Sequence, residues 1–180
     1  MKVKQWILGA TLALAALAAA PRAAAAGTDV PPARSYRGEK TLAFRAGYAG
    51  YNKSATAGLE FTYRFSRLFR LAPSLDYVIR RHDTDALVLE VDAQFLFPFS
   101  ADRMVFYPYV GPKYASWNYH PGASPDNNDV STRRSRLGLD AGVGLEANIT
   151  PTLRVGLSGG YTFIKYFHGF DAALTLSYRF

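Results

Sequence analysis

Read backwards from its last residue in steps of two, the chain gives Phe180, Tyr178, Leu176, Leu174 and Ala172. The residues between them are Arg179, Ser177, Thr175, Ala173 and Asp171. Successive side chains of a β-strand point to opposite faces, so this stretch reads as a strand with one apolar face and one small or polar face. The same period of two recurs along most of the chain. In 40–51, Leu42, Phe44, Ala46 and Tyr48 alternate with Ala43, Arg45, Gly47 and Ala49. Four further stretches, 56–66, 69–81, 86–98 and 152–166, repeat the pattern, and 133–148 is the most regular. There Leu137, Leu139, Ala141, Val143, Leu145 and Ala147 alternate with Arg136, Gly138, Asp140, Gly142, Gly144 and Glu146. An eighth segment, 103–118, carries Pro108 and Pro112, each of which deletes a ladder donor. Its facing is left open.

The first 26 residues read differently. Lys2 and Lys4 precede the apolar run "WILGATLALAALAAA", and Pro21, Arg22 and a row of small residues follow. This is the pattern of a secretory signal peptide, cleaved most simply after Ala26. The run is too short for the ~20 residues of a spanning helix. Residues 27–39, "GTDVPPARSYRGE", read as a flexible periplasmic lead-in. Removing Lys2, Lys4 and Arg22, three positive charges, takes the formal net charge from +7 to +4. That charge, without a basic run, gives no case for nucleic acid. The chain has no cysteine, which excludes disulfides and thiolate metal sites. No zinc, calcium or phosphate-loop spacing appears, so no metal and no cofactor are expected.

Past the leader no segment suffices for a membrane helix, so a membrane protein of this sequence must be a closed barrel. Eight segments near or above the ~9–11 residues of a tilted membrane strand predict an all-β, eight-stranded antiparallel up-and-down transmembrane barrel over 40–180. The connections sort into two sets. The short turns near 66–68, 100–103 and 148–152 belong at the periplasmic end. Those at 52–55, 82–85, 118–133 and 167–169 belong outside, because outer-membrane barrels carry their longer loops there.

A soluble barrel would also alternate, so the polar face has to decide. It mixes charge with Gly47, Gly58, Gly138, Gly142, Gly144, Gly156 and Gly160. Glycine weakens a strand unless space is tight, and the interior of an eight-stranded barrel is just wide enough for its side chains. The polar face is therefore predicted to line the lumen. Its acids are Glu60, Asp76, Glu90, Asp92, Asp140, Glu146 and Asp171, and its bases are Arg45, Arg64, Arg80, Arg136, Arg154 and Arg179. Confined charges must pair, so a salt-bridged interior is expected. The aromatic residues fit girdles: Phe65, Phe97, Tyr178 and Phe180 toward the periplasm, and Tyr48, Tyr77, Tyr161 and Phe163 toward the outside.

The terminal strand "AALTLSYRF" resembles the last strand of bacterial outer-membrane proteins, and "YPYVGPKY" resembles the Pro-Tyr-Val-Gly strand of the OmpA/OmpX-like small outer-membrane barrels. Pro112 and Lys113 depart from the small residues usual in that strand. The resemblance spans 40–180. It implies an integral protein of the cell outer membrane in which Phe180 is an assembly signal, read by the outer-membrane assembly machinery. It also implies that the peptidoglycan-binding domain of longer OmpA-type proteins is absent.

Such a barrel supports several functions. The leading reading is a non-enzymatic structural or surface-binding protein acting through its external loops on an unidentified extracellular ligand. Its predicted binding residues are Trp117, Tyr119, His120, Arg133 and Arg134. Basic groups there would hold phosphates of outer-membrane lipid and lipopolysaccharide. One alternative is a lipid A acyltransferase or deacylase using His82, His120 or His168, although the His-x-Ser-Asn signature associated with the deacylases is absent. The other is a small passive channel.

Overall fold

The computed structural model describes residues 38–81, 83–101, 103–120, 132–165 and 167–180. The signal peptide and nearly all of the lead-in lie outside them. The strands are β1 (Lys40–Ala49), β2 (Ser54–Arg64), β3 (Phe69–Arg81), β4 (Thr84–Phe95), β5 (Phe97–Phe99), β6 (Met104–Tyr119), β7 (Thr132–Asn148), β8 (Leu153–Phe163) and β9 (Gly169–Arg179). Each pairs antiparallel with the next in the chain, except that β4 pairs β6 and not β5, and β1 pairs β9, which closes the sheet.

β4 and β5 are one strand position. Gln94 faces Tyr109 and Phe97 faces Phe106 in a single register against β6, with the pairing interrupted between them. The residue opposite Phe95 in that register is Pro108, which has no N–H to give. The second interruption in this ladder, at Val91 and Asp92, falls opposite Pro112 and Gly111. Pro73 does the same to the β2–β3 ladder, where Phe61 and Thr62 go unpaired. The barrel therefore has eight strands, one of them divided by a proline on its neighbour.

The faces follow the period of two. Leu42, Phe44, Leu59, Leu75, Leu89, Leu139, Leu174 and Leu176 stand exposed on the outside, while Arg70, Gln94, Glu90, Asp92 and Asp140 are buried within. An apolar outside around a charged inside is the pattern of a barrel in lipid. Aromatic rings ring its short-turn end: Phe65 lies 5.9 Å from Phe69, Phe69 5.7 Å from Phe95, and Phe97 6.3 Å from Phe106. β6 now has a facing. Val105, Tyr107, Tyr109, Lys113, Ala115 and Trp117 point inward, and Phe106, Val110 and Tyr114 point out.

Candidate functional site

The lumen is filled in three layers. At the short-turn end Arg70 forks onto Glu146. Its Nη1 donates to Oε2 at 2.9 Å and its Nη2 to Oε1. Its Nε donates to Gln94, and the guanidinium lies 4.8 Å above the Tyr107 ring. A planar cation with a fixed fork suits this position, because it satisfies a carboxylate, an amide and a ring face at once. Beside it Glu39, just before β1, accepts from Arg154 of β8 and, at 3.2 Å, from Arg179 of β9. Arg154 also donates to Asn148 at 2.8 Å. Arg64 turns to the β2–β3 turn and donates to the carbonyls of Ser66 and Arg67 at 3.1 and 2.6 Å.

Two cations organise the middle layer. Arg45 approaches Glu60 at 3.4 Å and Asp76 at 3.7 Å. Lys113 stands among three carboxylates, Asp171 at 2.7 Å and Glu90 and Asp140 at 3.4 Å each. Thr162 accepts from Lys113 at 3.0 Å and donates to Asp140 at 2.9 Å. Tyr107 and Tyr109 pack beside these groups, and glycines on β7 and β8 make room for their rings. A Cβ on Gly144 would stand 2.2 Å from the Tyr107 ring, and one on Gly142 would stand 2.5 Å from the Tyr109 hydroxyl.

The outer layer is apolar. Val78, Ala86, Val88, Ala115, Trp117 and Ile164 form one buried cluster with Ala49, and Tyr51 and Phe167 from the external connections pack onto it. Trp117 stacks on Phe167 with ring centroids 3.9 Å apart and an angle of 13°.

This arrangement relocates several residues singled out from sequence. Trp117 is 3% exposed and belongs to the lumen plug, not to the binding rim. Arg80 is not interior. Its side chain is 52% exposed and meets Asp83 at 3.8 Å, because the β3–β4 register shifts between Val78 and Arg81 and turns the strand end out of alternation. Arg136 is half-buried on β7 beyond Asp140, and Asp92 is buried on β4. The bases are not all arginine, since Lys113 is the central cation. Lys113, Arg70 and Glu39 were missed. Lys113 sits on the strand whose facing the prolines obscured. Arg70 shares the parity of Asp76, a signal that was there to be read. Glu39 precedes the first alternating residue.

At the outer rim Tyr119, Arg133 and Arg134 are exposed. Arg133 donates through Nε to Ser116 at 2.8 Å, and Ser135 bonds the same hydroxyl at 3.1 Å. His120 lies 2.9 Å from Asp85, which also accepts from Asn118 at 3.2 Å. Among the described residues no serine hydroxyl bonds His120. His168 is exposed, and His82 lies outside the described residues. Among the described residues no group of three or more histidine or acidic side chains is placed to hold a metal ion.

The family model described as "Outer membrane protein beta-barrel domain" matches residues 10–180. No curated protein sequence matches the chain. Among solved structures it is similar to the N-terminal β-barrel domain of Pseudomonas aeruginosa OprF, at 17% identity and a TM-score of 0.61 over 80% of this chain and 98% of that one. It is also similar to Ail of Yersinia pestis (21%, 0.57, 80% and 99%) and to OprG of Pseudomonas aeruginosa (11%, 0.59, 80% and 96%).

Proposed function

Because the chain belongs to the outer membrane protein beta-barrel family, an assignment that makes it an integral outer-membrane protein, we propose that it is non-enzymatic and works through its outer rim and external loops. The filled lumen is the observation that supports this reading. Charge pairs occupy its middle, and the Trp117–Phe167 stack lies in an apolar outer end. A lumen occupied by side chains leaves the rim and loops as the surfaces to act with.

The ligand class we assign to that rim is an anionic phosphate or sulfate group, lipopolysaccharide phosphate first. Arg133 and Arg134 are exposed on adjacent positions of β7, and Lys53, Arg80 and Arg81 are exposed on the β1–β2 turn and the end of β3. Arginine suits oxyanions through paired N–H donors. Ail, at 20% identity, is solved in complex with the heparin analogue sucrose octasulfate. Export through a cleaved leader over 1–26, and recognition of the strand ending at Phe180 by the assembly machinery, belong to the same reading. The passive channel is disfavoured by the plug. Lipid A chemistry by a loop histidine is the weaker reading: His120 pairs with Asp85, but among the described residues no serine hydroxyl bonds it.

The test is calorimetric titration of the folded barrel with sucrose octasulfate at low and moderate salt. Saturable binding that weakens with salt and falls at least tenfold in the Arg133→Ala/Arg134→Ala double variant is expected. No binding by the wild type at low salt, or a lipid A acyl pattern altered by the protein, would contradict the reading.

A further inference from the structure

The β6–β7 hairpin outruns the wall beside it. β7 pairs with β6 up to Thr132, but with β8 only up to Leu139, which faces Phe163, the last residue of β8. Among the described residues no strand pairs with 132–136 on the side away from β6. This stretch is an open strand edge. The apolar residues of β7 end at Leu137, and Thr132, Arg133, Arg134 and Ser135 are all exposed. A stretch polar on both faces, with an open edge, belongs in water and not in hydrocarbon.

The direction of the unpaired groups follows from the ladder. Successive residues of an antiparallel strand turn their N–H and C=O to one neighbour and then to the other. The Asn148 N–H donates to the Arg103 carbonyl at 2.8 Å, on the β6 side, and the Ile149 N–H to the Leu153 carbonyl at 3.0 Å, on the β8 side. Even positions of β7 therefore serve β6, and odd positions serve β8. The far end agrees. The His120 N–H donates to the Asp83 carbonyl at 2.7 Å, toward β4, so Trp117 and Tyr119 turn the other way, to Arg134 and Thr132. Arg133 and Ser135 are left to aim N–H and C=O at the open edge.

An edge of this kind accepts an extended segment as an added strand. Its side chains say which segment. Arg134 and Arg136 share the parity of Asp140, and Arg133 has the opposite one, so both faces of the edge are cationic. A second copy of the same edge would set arginines against arginines, and like charges on paired strands repel. We propose that 132–136 takes an extended acidic segment of a partner protein as an additional β-strand, bonded to the backbone of Arg133 and Ser135, with carboxylates beside the arginines. The inference keeps the rim as the working surface and goes beyond the anion reading, because backbone groups and not guanidinium groups alone make the contact.

The probe is a short synthetic peptide alternating glutamate and threonine, blocked at both ends. It is titrated at low salt into the full barrel refolded in a zwitterionic detergent. A second peptide of the same sequence has its backbone amides N-methylated, which keeps the charge and removes the ladder donors. Saturable binding of the first peptide is expected, with slowed amide hydrogen exchange at Arg133 and Ser135 but not at Arg134. The methylated peptide should bind about tenfold more weakly or worse. Ser135→Pro removes an N–H aimed at the open edge and none aimed at β6, a position where a strand tolerates proline. It is expected to weaken peptide binding by about tenfold and to leave sucrose octasulfate binding unchanged. Should Ser135→Pro fail to fold, the methylated peptide carries the test on the wild type. Peptide binding without sucrose octasulfate binding would support this inference and contradict the anion reading. No peptide binding by the wild type, equal binding of the two peptides, or full affinity in Ser135→Pro would overturn the inference. Self-association of the wild type that Ser135→Pro abolishes would also overturn it, by giving the edge to a second copy.

Discussion

Arg70 and Glu146 lie 76 residues apart in sequence and meet in the lumen as a two-pronged pair, each less than a tenth exposed. One comes from the start of β3 and the other from the end of β7, so the pair ties opposite walls of the barrel. Removing one partner leaves the other charge buried and alone. Glu146→Ala is expected to cost about 3–5 kcal/mol. The double change Arg70→Met/Glu146→Leu should cost clearly less, because it leaves no orphaned charge. Urea unfolding of the two variants in lipid vesicles checks the order.

Gly144 makes room for a ring. Its missing Cβ would stand 2.2 Å from Tyr107 Cζ. Gly144→Ala is expected to destabilise by about 1–3 kcal/mol through overpacking. Tyr107→Ala in the same chain should relieve most of that penalty, and a double-mutant cycle reads the coupling.

Glu39 joins the first strand to the last two. It stands before β1 and accepts from Arg154 and Arg179, across the β1–β9 junction that closes the barrel. Glu39→Gln keeps the shape and removes the charge. A loss of about 1.5–3 kcal/mol is expected, the range for hydrogen bonds to charged groups. The change should appear mainly as faster unfolding, measured by the loss of the heat-stable folded band on gels.

Leu139 faces lipid in the middle of β7, opposite Pro112. Leu139→Arg is expected to cost about 2–4 kcal/mol near the bilayer midplane. Unfolding at the wild-type urea concentration would mean that this face does not contact the hydrocarbon.

Strand number, order and facing were legible because lipid and a narrow lumen impose opposite demands on alternate residues. That contrast writes itself into the period of two. It fades where the backbone departs from alternation. Pro108 and Pro112 hid the facing of β6, and with it Lys113, the cation at the centre of the carboxylate layer. The register shift after Val78 carried Arg80 out to the rim although its parity pointed inward. Trp117 was assigned to the rim by its nearness to the longest loop, yet its parity with Lys113 and Ala115 places it in the lumen. Pairing partners such as Arg70 with Glu146 depend on how the barrel is sheared, which no single strand encodes.

Single-channel recording of the wild-type barrel in planar bilayers addresses the closed lumen most directly. With the Trp117–Phe167 stack above and the Lys113 cluster below, a baseline without steps is expected. Trp117→Ala alone should leave it unchanged, because the charged layer still fills the middle. Reproducible ion-selective steps from the wild-type protein would contradict a closed lumen and return the channel reading to first place.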